Sequence, residues 1–156
     1  DGTGVQRLLN SGGIDTEASF TPDGKALLFS SDRGGSPQIY RLTIATGAVE
    51  RMTFEGGHNV SPRATPDGKG FVFVRRDGGR FMVAIQDYAT RQVQLLTPGP
   101  LDESPSIAPN SKLIIYAAQQ GQRGILAGVS SDGRVKQRLV SPAADVREPA
   151  WGPLPR

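Results

Sequence analysis

The sequence contains no cysteine and a single histidine. Without cysteine there can be no disulfide, no thiolate metal site and no cysteine nucleophile within these residues. One histidine, His58, in "EGGHNVSP", has no Gly-x-Ser-x-Gly elbow to serve, so no Ser-His-Asp constellation can assemble. Long apolar runs are also missing. The longest, Leu113 to Ala118, falls far short of the roughly 18 residues that span a bilayer. Charge of one sign is scarce too: the net charge is +3, no Lys/Arg run exceeds a pair such as Arg75-Arg76, and no aromatic residues interleave with them. That excludes an evident nucleic-acid surface. Pro, Gly and turn residues recur about every ten positions, so no window remains for a helix of 10 to 12 residues.

What is present is a repeat. "FTPDGK" at 20–25 returns as "ATPDGK" at 64–69 and more loosely as "IAPNSK" at 107–112, and Pro22, Pro66, Pro109 and Pro153 stand 44, 43 and 44 residues apart. Each copy reads as four strands. In the first they are Glu17 to Thr21, Ala26 to Ser31, Gln38 to Ile44 and Val49 to Thr53, joined by Asp23-Gly24, Asp32-Arg33-Gly34-Gly35 and Ala45-Thr46-Gly47. Gly and Asp at those joints supply the positive φ or the self-bonding side chain that tight hairpins demand. The second strands, Ala26 to Phe29, Phe71 to Val74 and Leu113 to Tyr116, are apolar at consecutive positions, so both faces of each sheet are expected to be covered.

Four short strands in about 40 to 45 residues is the length of a propeller blade. The expected fold is therefore all-β: a β-propeller with four-stranded antiparallel blades, three of them complete, plus partial strands of two neighbours. The expected boundaries are residues 1–9 for the outer strand of a preceding blade, 10–53, 54–97 and 98–140 for blades, and 141–156 for the inner strand of the next. Val5-Leu9 aligns with Val49-Thr53, and Glu148-Trp151 with Glu17-Phe20. Three blades and two fragments do not close a ring, so the chain is expected either to belong to a longer protein or to pair with a second copy.

Phe20, Ala64, Ile107 and Trp151 are apolar at one repeat position, and Ala18, Pro62, Pro105 and Pro149 are small or rigid two residues earlier; both sets are expected in the core. The prolines fit an edge strand, where a missing N–H costs no ladder bond. Asp32, Asp77 and Asp132 lack the alternating acidic spacing of a calcium loop and read as turn caps.

The segments joining successive blades should meet at the channel mouth. They carry Asp15, Thr16 and Glu17; His58, Asn59, Val60 and Ser61; Asp102, Glu103 and Ser104; and Arg147 and Glu148. A ring of donors and acceptors suits an extended peptide or loop, and its carboxylates could hold a cation such as calcium.

"TEASFTPDGKALLFSSDRGGSPQIYRL", "LDESPSIAPNSKLIIYAAQQG", "SSDGRVKQRL" and the terminal "EPAWGPLPR" resemble, in order, the C-terminal part of the propeller of the TolB family. The resemblance implies a non-catalytic, periplasmic adaptor of the Tol–Pal envelope system. It implies binding of the lipoprotein Pal through the inter-blade loops, and dealings with TolA and with colicins, in support of outer-membrane integrity and cell division. It also places Thr16 in a partner-contact loop. The same repeat occurs in propellers that scaffold or gate serine peptidases, which is the competing expectation.

Overall fold

In the computed structural model, which describes residues 1–139 and 145–152, the chain forms three four-stranded antiparallel sheets. The first comprises β1 (Asp15–Phe20), β2 (Ala26–Ser31), β3 (Gln38–Thr43) and β4 (Ala48–Arg51). The second comprises β5 (His58–Ala64), β6 (Gly70–Asp77), β7 (Arg80–Asp87) and β8 (Val93–Leu95). The third comprises β9 (Glu103–Ile107), β10 (Leu113–Gln120), β11 (Arg123–Ser130) and β12 (Lys136–Arg138). In each, sequence neighbours pair in order. No helix occurs among the described residues. This is the expected meander repeated three times.

The "TPDGK" turn shows why the repeat is so well kept. Asp23 Oδ1 accepts from the Thr21 hydroxyl and from the Lys25 amide, while the Ala26 amide donates to Thr21 Oγ1. Asp67, Lys69, Thr65 and Gly70 repeat the backbone part of that arrangement, and in the third copy Asn110 Oδ1 accepts from the Lys112 amide. Gly24 and Gly68 hold φ of +68° and +71°, a conformation that glycine takes without a Cβ clash. Asp132 does the same service at the third hairpin of the last sheet, accepting from Ser130 Oγ and the Arg134 amide. Asp32 Oδ1 caps the Ile14 amide.

The sheets pack face to face, with β5 against β1 and β2, and β9 against β5 and β6. Along β6 the side chains divide by parity. Phe71 and Phe73 join Leu28, Ile39 and Ala84 in the seam with the first sheet; Val72 joins Val83, Leu96, Ile107 and Ile114 in the seam with the third. A strand pressed from both sides has no solvent face to keep polar, which is why its apolar residues are consecutive. The outer strands β4, β8 and β12 are only 4, 3 and 3 residues long, short enough to offer little unpaired edge. At the other edge Pro62 and Pro105 sit in β5 and β9, where no ladder bond is lost.

Two expectations need correcting. Phe20 is 65% exposed, not core, and Ala18 is exposed as well, because no described residue lies over that side of β1. Ala64 and Ile107, the repeat partners of Phe20, do pack into the two seams. Trp151 is 41% exposed, and its link to the third sheet is through its backbone: its amide donates to Ser106 Oγ at 3.0 Å. The segments 1–9 and 145–152, within the stretches 1–9 and 141–156 expected to belong to neighbouring blades, form no ladder because the described residues include no other strand of those blades to pair with. Leu9 nonetheless packs against Phe29, Tyr40 and Leu42 on the far side of the first sheet. Residues 140–144 and 153–156, including Pro153, lie outside the described residues.

Phe73 is 1% exposed in the seam between the first two sheets. Phe73→Ala should lower the unfolding free energy by about 3–5 kcal/mol, read by denaturant titration. Phe73→Asp, which buries an unpaired charge, should abolish the cooperative transition; a variant that still melts cooperatively would contradict the sandwiched seam.

Candidate functional site at the inter-blade rim

The chain passes from one sheet to the next in the same way each time. The Asn59 amide donates to Pro37 O at 2.9 Å, the Asp102 amide to Phe81 O at 3.1 Å, and the Val146 amide to Gly124 O at 3.0 Å. Asn59, Asp102 and Val146 hold one position in the repeat, and so do the three acceptors. Segment 145–152 thus docks on the third sheet as β5 and β9 dock on their predecessors. Two residues further on, Glu17, Ser61, Ser104 and Glu148 have φ of 57°, 56°, 53° and 48°. None is glycine, and each such residue costs on the order of 1–2 kcal/mol. In β1, β5 and β9 this residue makes a bulge that shifts the register against the second strand. A bulge re-aims the side chain at its crest, and at the first junction the crest side chains Glu17 and Ser61 meet.

The first junction is the most elaborate. Glu17 Oε2 accepts from Ser30 Oγ at 2.7 Å and from the Ser61 amide at 2.8 Å, while Oε1 accepts from Ser61 Oγ at 2.5 Å. One carboxylate thereby ties the crest of the first bulge to the crest of the second. Burial pushes the Glu17 pKa up, but the hydrogen bonds from Ser61 and Ser30 outweigh it and hold the carboxyl below its ordinary value. Asp15 pairs with Arg33 at 2.9 Å, and Thr16, next in the chain, is exposed.

Asn59 and Asp102, expected in the mouth, are instead buried at 0% and 3% exposure. The Asn59 amide group donates to Gln38 Oε1 at 2.8 Å and to Glu55 O at 2.9 Å, and Gln38 also receives the Thr53 hydroxyl. Asp102 Oδ2 accepts from the Gly99 amide. Burial raises the Asp102 pKa against donors from Thr97 and Gly99. Both side chains brace the inter-blade loop from inside. Nothing in their sequence distinguished them from their exposed neighbours: Asp15 holds the same repeat position and is exposed.

His58 packs edge-on against Phe81, with ring centroids 6.1 Å apart, and Val60 pairs with Val74 within the second sheet. Glu103 and Arg147 line one depression of ≈ 170 Å³ between β9, β10 and segment 145–152. Arg147 pairs with Asp145 at 3.2 Å, and Asp145 Oδ1 accepts the Gly124 amide. Glu148 is exposed beside them. The rim therefore presents Thr16, Glu103, Arg147 and Glu148 outward, while Glu17 and Ser61 join the first two junctions. Among the described residues, no three His, Asp or Glu side chains gather closely enough to hold a metal ion. What the rim can do is accept and donate hydrogen bonds to an extended chain laid across successive bulges.

Residues 1–155 match the family model described as the TolB beta propeller domain. The Tol-Pal system protein TolB of Bordetella pertussis is 56% identical over 155 residues, which cover 99% of this chain and 35% of the relative. The crystal structure of TolB from Acinetobacter baumannii superposes with a TM-score of 0.87 at 51% identity, covering 94% of this chain and 37% of that one. A puromycin-hydrolysing peptidase of Mycobacterium tuberculosis superposes with a TM-score of 0.70 at 15% identity, covering 84% of this chain and 22% of that one, a likeness of fold alone. The chain spans about a third of the length of the TolB relatives it matches.

Because the folded pKa of Glu17 is depressed, its contribution to stability is present above the ordinary carboxyl value of 4.5 and is lost as pH falls through the lower folded value. Glu17→Gln should lower the urea midpoint at neutral pH and flatten its fall in acid. Parallel midpoint–pH curves for the two proteins would show that Glu17 does not hold the junction.

Proposed function

The chain belongs to the TolB β-propeller family, and on that premise we propose that it is a non-catalytic, protein-binding part of a Tol–Pal system protein acting in the periplasm. In this reading the partner is the peptidoglycan-associated lipoprotein Pal, held at the inter-blade rim, with TolA and colicin translocation segments as further users of the propeller. The role served is outer-membrane integrity and cell division.

One observation carries the proposal: the four positive-φ residues Glu17, Ser61, Ser104 and Glu148 at one repeat position. Backbone strain of this kind persists only where the surroundings over-determine it, and it concentrates at sites that bind. Here it recurs once per blade, always at the inner edge, beside outward-facing polar groups. A partner chain crossing the rim would meet a bulge crest at every blade. Such a surface recognises by hydrogen bonds and charge, and it needs no reacting atom. The peptidase alternative draws support only from fold likeness, which carries no activity.

The test uses rim charges that are free of internal bonds. Glu17 is unsuitable because its reversal would break the junction with Ser61. Glu103 and Glu148 are exposed. Glu103→Lys with Glu148→Lys, made in the whole protein that carries this chain, should weaken Pal binding by about tenfold or more in calorimetry while leaving the melting temperature in place. Unchanged affinity in a folded double variant would remove Pal from the rim.

A further inference from the structure

The β1–β2 and β3–β4 turns leave the sheets at the end opposite the inter-blade rim, as four alternating strands require. At that end a cavity of ≈ 530 Å³ opens between the first and second sheets. Its size is that of a small-ligand pocket. A second cavity of ≈ 480 Å³ opens at the same end between the second and third sheets, and the two differ in the groups that line and bridge them. Between the second and third sheets, the Asp67 amide donates to Ser111 Oγ at 3.0 Å, and Gln94 Nε2 donates to Asp132 O at 2.9 Å, so the walls are tied together. In the cleft between the first and second sheets the tie is Gln86 Nε2 to Met52 O at 3.0 Å, with Arg91 to Glu50 at 3.4 Å on the exposed rim.

Gln86 is out of place. In the ladder it faces Phe71, as Leu42 faces Leu27 in the first sheet and Val129 faces Ile114 in the third. The position is apolar in two blades and an amide in the middle one. Gln86 is 3% exposed, and its Oε1 has no hydrogen-bond partner. The side chain lies on the face of β7 shared with Ala84 and Tyr88, toward the first sheet, and its amide reaches Met52 there. The Tyr88 ring packs 5.7 Å from Phe71, and its buried hydroxyl is also unpartnered. A buried acceptor left unpaired costs about 1–3 kcal/mol, a penalty that a ligand N–H removes.

The charges in the cavity narrow the choice of ligand. Asp23 and Asp67 keep their charge but point their acceptors into their own turns, Glu50 pairs with Arg91, and Arg51 donates to Thr53 O. Arg41 lines the cavity within electrostatic reach of Tyr88 and has no carboxylate within 4 Å among the described residues. The wall therefore offers an uncommitted guanidinium fork, a buried amide oxygen and a phenol hydroxyl. We propose that this cavity, with Arg41, Gln86 and Tyr88, binds a short peptide by its free C-terminal end. The carboxylate lies on the Arg41 fork, and a backbone N–H satisfies Gln86 Oε1. Arginine is the side chain whose planar donors match a carboxylate pairwise.

The test is an amide NMR titration of the whole protein with N-acetyl-trialanine and, separately, with its C-terminal amide. The free acid should give saturable shifts centred on the Gln86 side-chain amide and on Tyr88, and the amidated peptide should bind about tenfold more weakly or worse. Gln86→Leu, which installs the residue of the first blade, should abolish those shifts while the melting temperature stays level or rises. Arg41→Gln, a substitution outside the core, should weaken binding by at least about tenfold and serves alone if Gln86→Leu does not fold. The proposal is overturned by equal binding of acid and amide, by binding that survives Arg41→Gln, or by no saturable shift up to about 10 mM peptide.

Discussion

The rest of the structure depends on one backbone hydrogen bond made three times, from the residue that opens each new blade to a carbonyl at the start of the preceding blade's third strand. Asn59 to Pro37, Asp102 to Phe81 and Val146 to Gly124 place each new first strand at a fixed height and angle on the sheet before it. A four-stranded sheet with two apolar faces cannot stand alone in water. It must be pressed between neighbours, and the bond decides where. Once the height is set, the parity of β6 delivers Phe71 and Phe73 to one seam and Val72 to the other. A one-residue slip at the crossing would exchange those faces throughout the sheet.

The same bond explains the buried polar groups beside it. A loop that dives from an outer strand to the inner edge must bring backbone groups into the protein, and those groups need partners. Asn59, Gln38 and Thr53 supply them at one crossing, and Asp102 with Gly99 at the next. The bulge follows within two residues. Its positive φ opposes the intrinsic preference of Glu and Ser, and the crossing bond, the ladder and the proline that follows three of the four crests hold it there. Rim and architecture are therefore one device in this propeller: the feature that docks the blade also makes the bulge at the rim.

Much of this was legible in the sequence. Turn chemistry is local, so Thr21-Pro22-Asp23-Gly24-Lys25 announced its hairpin, and the period announced the array. Apolar runs such as Phe71 to Val74 announced a sheet covered twice. What the sequence did not disclose was depth. Asn59 and Asp102 look like Asp15 and Glu103, yet burial separates them, because exposure at a crossing depends on loop residues such as Glu55 and Gly99 that fold back over it. Phe20 misled for the opposite reason. Its position is core wherever a sheet lies on the preceding side, as for Ala64 and Ile107, and the seam rather than the residue makes the core.

The repeat also gives a way to separate scaffold from specialisation. Residues that all copies share answer to the blade: the turn Asp or Asn, the small or proline residue after the bulge, the apolar second strand. Residues on which one copy departs from the others, against the physical demand of the position, answer to something else. Gln86 is such a residue, because the place it occupies between two sheets is filled by Leu42 and Val129 in the other blades and asks for hydrocarbon. An amide there forfeits packing and leaves an acceptor unpaired, so its presence needs a return elsewhere. Glu17, which shares its residue type with Glu148, differs from the two complete blades that follow it. Its counterparts Ser61 and Ser104 are too short to bridge to the next crest, and only the longer carboxylate makes that link within the described blades. Both departures fall at the boundary between the first and second blades, one at each end of the same seam. That boundary, of the two complete ones, is where the array stops repeating itself.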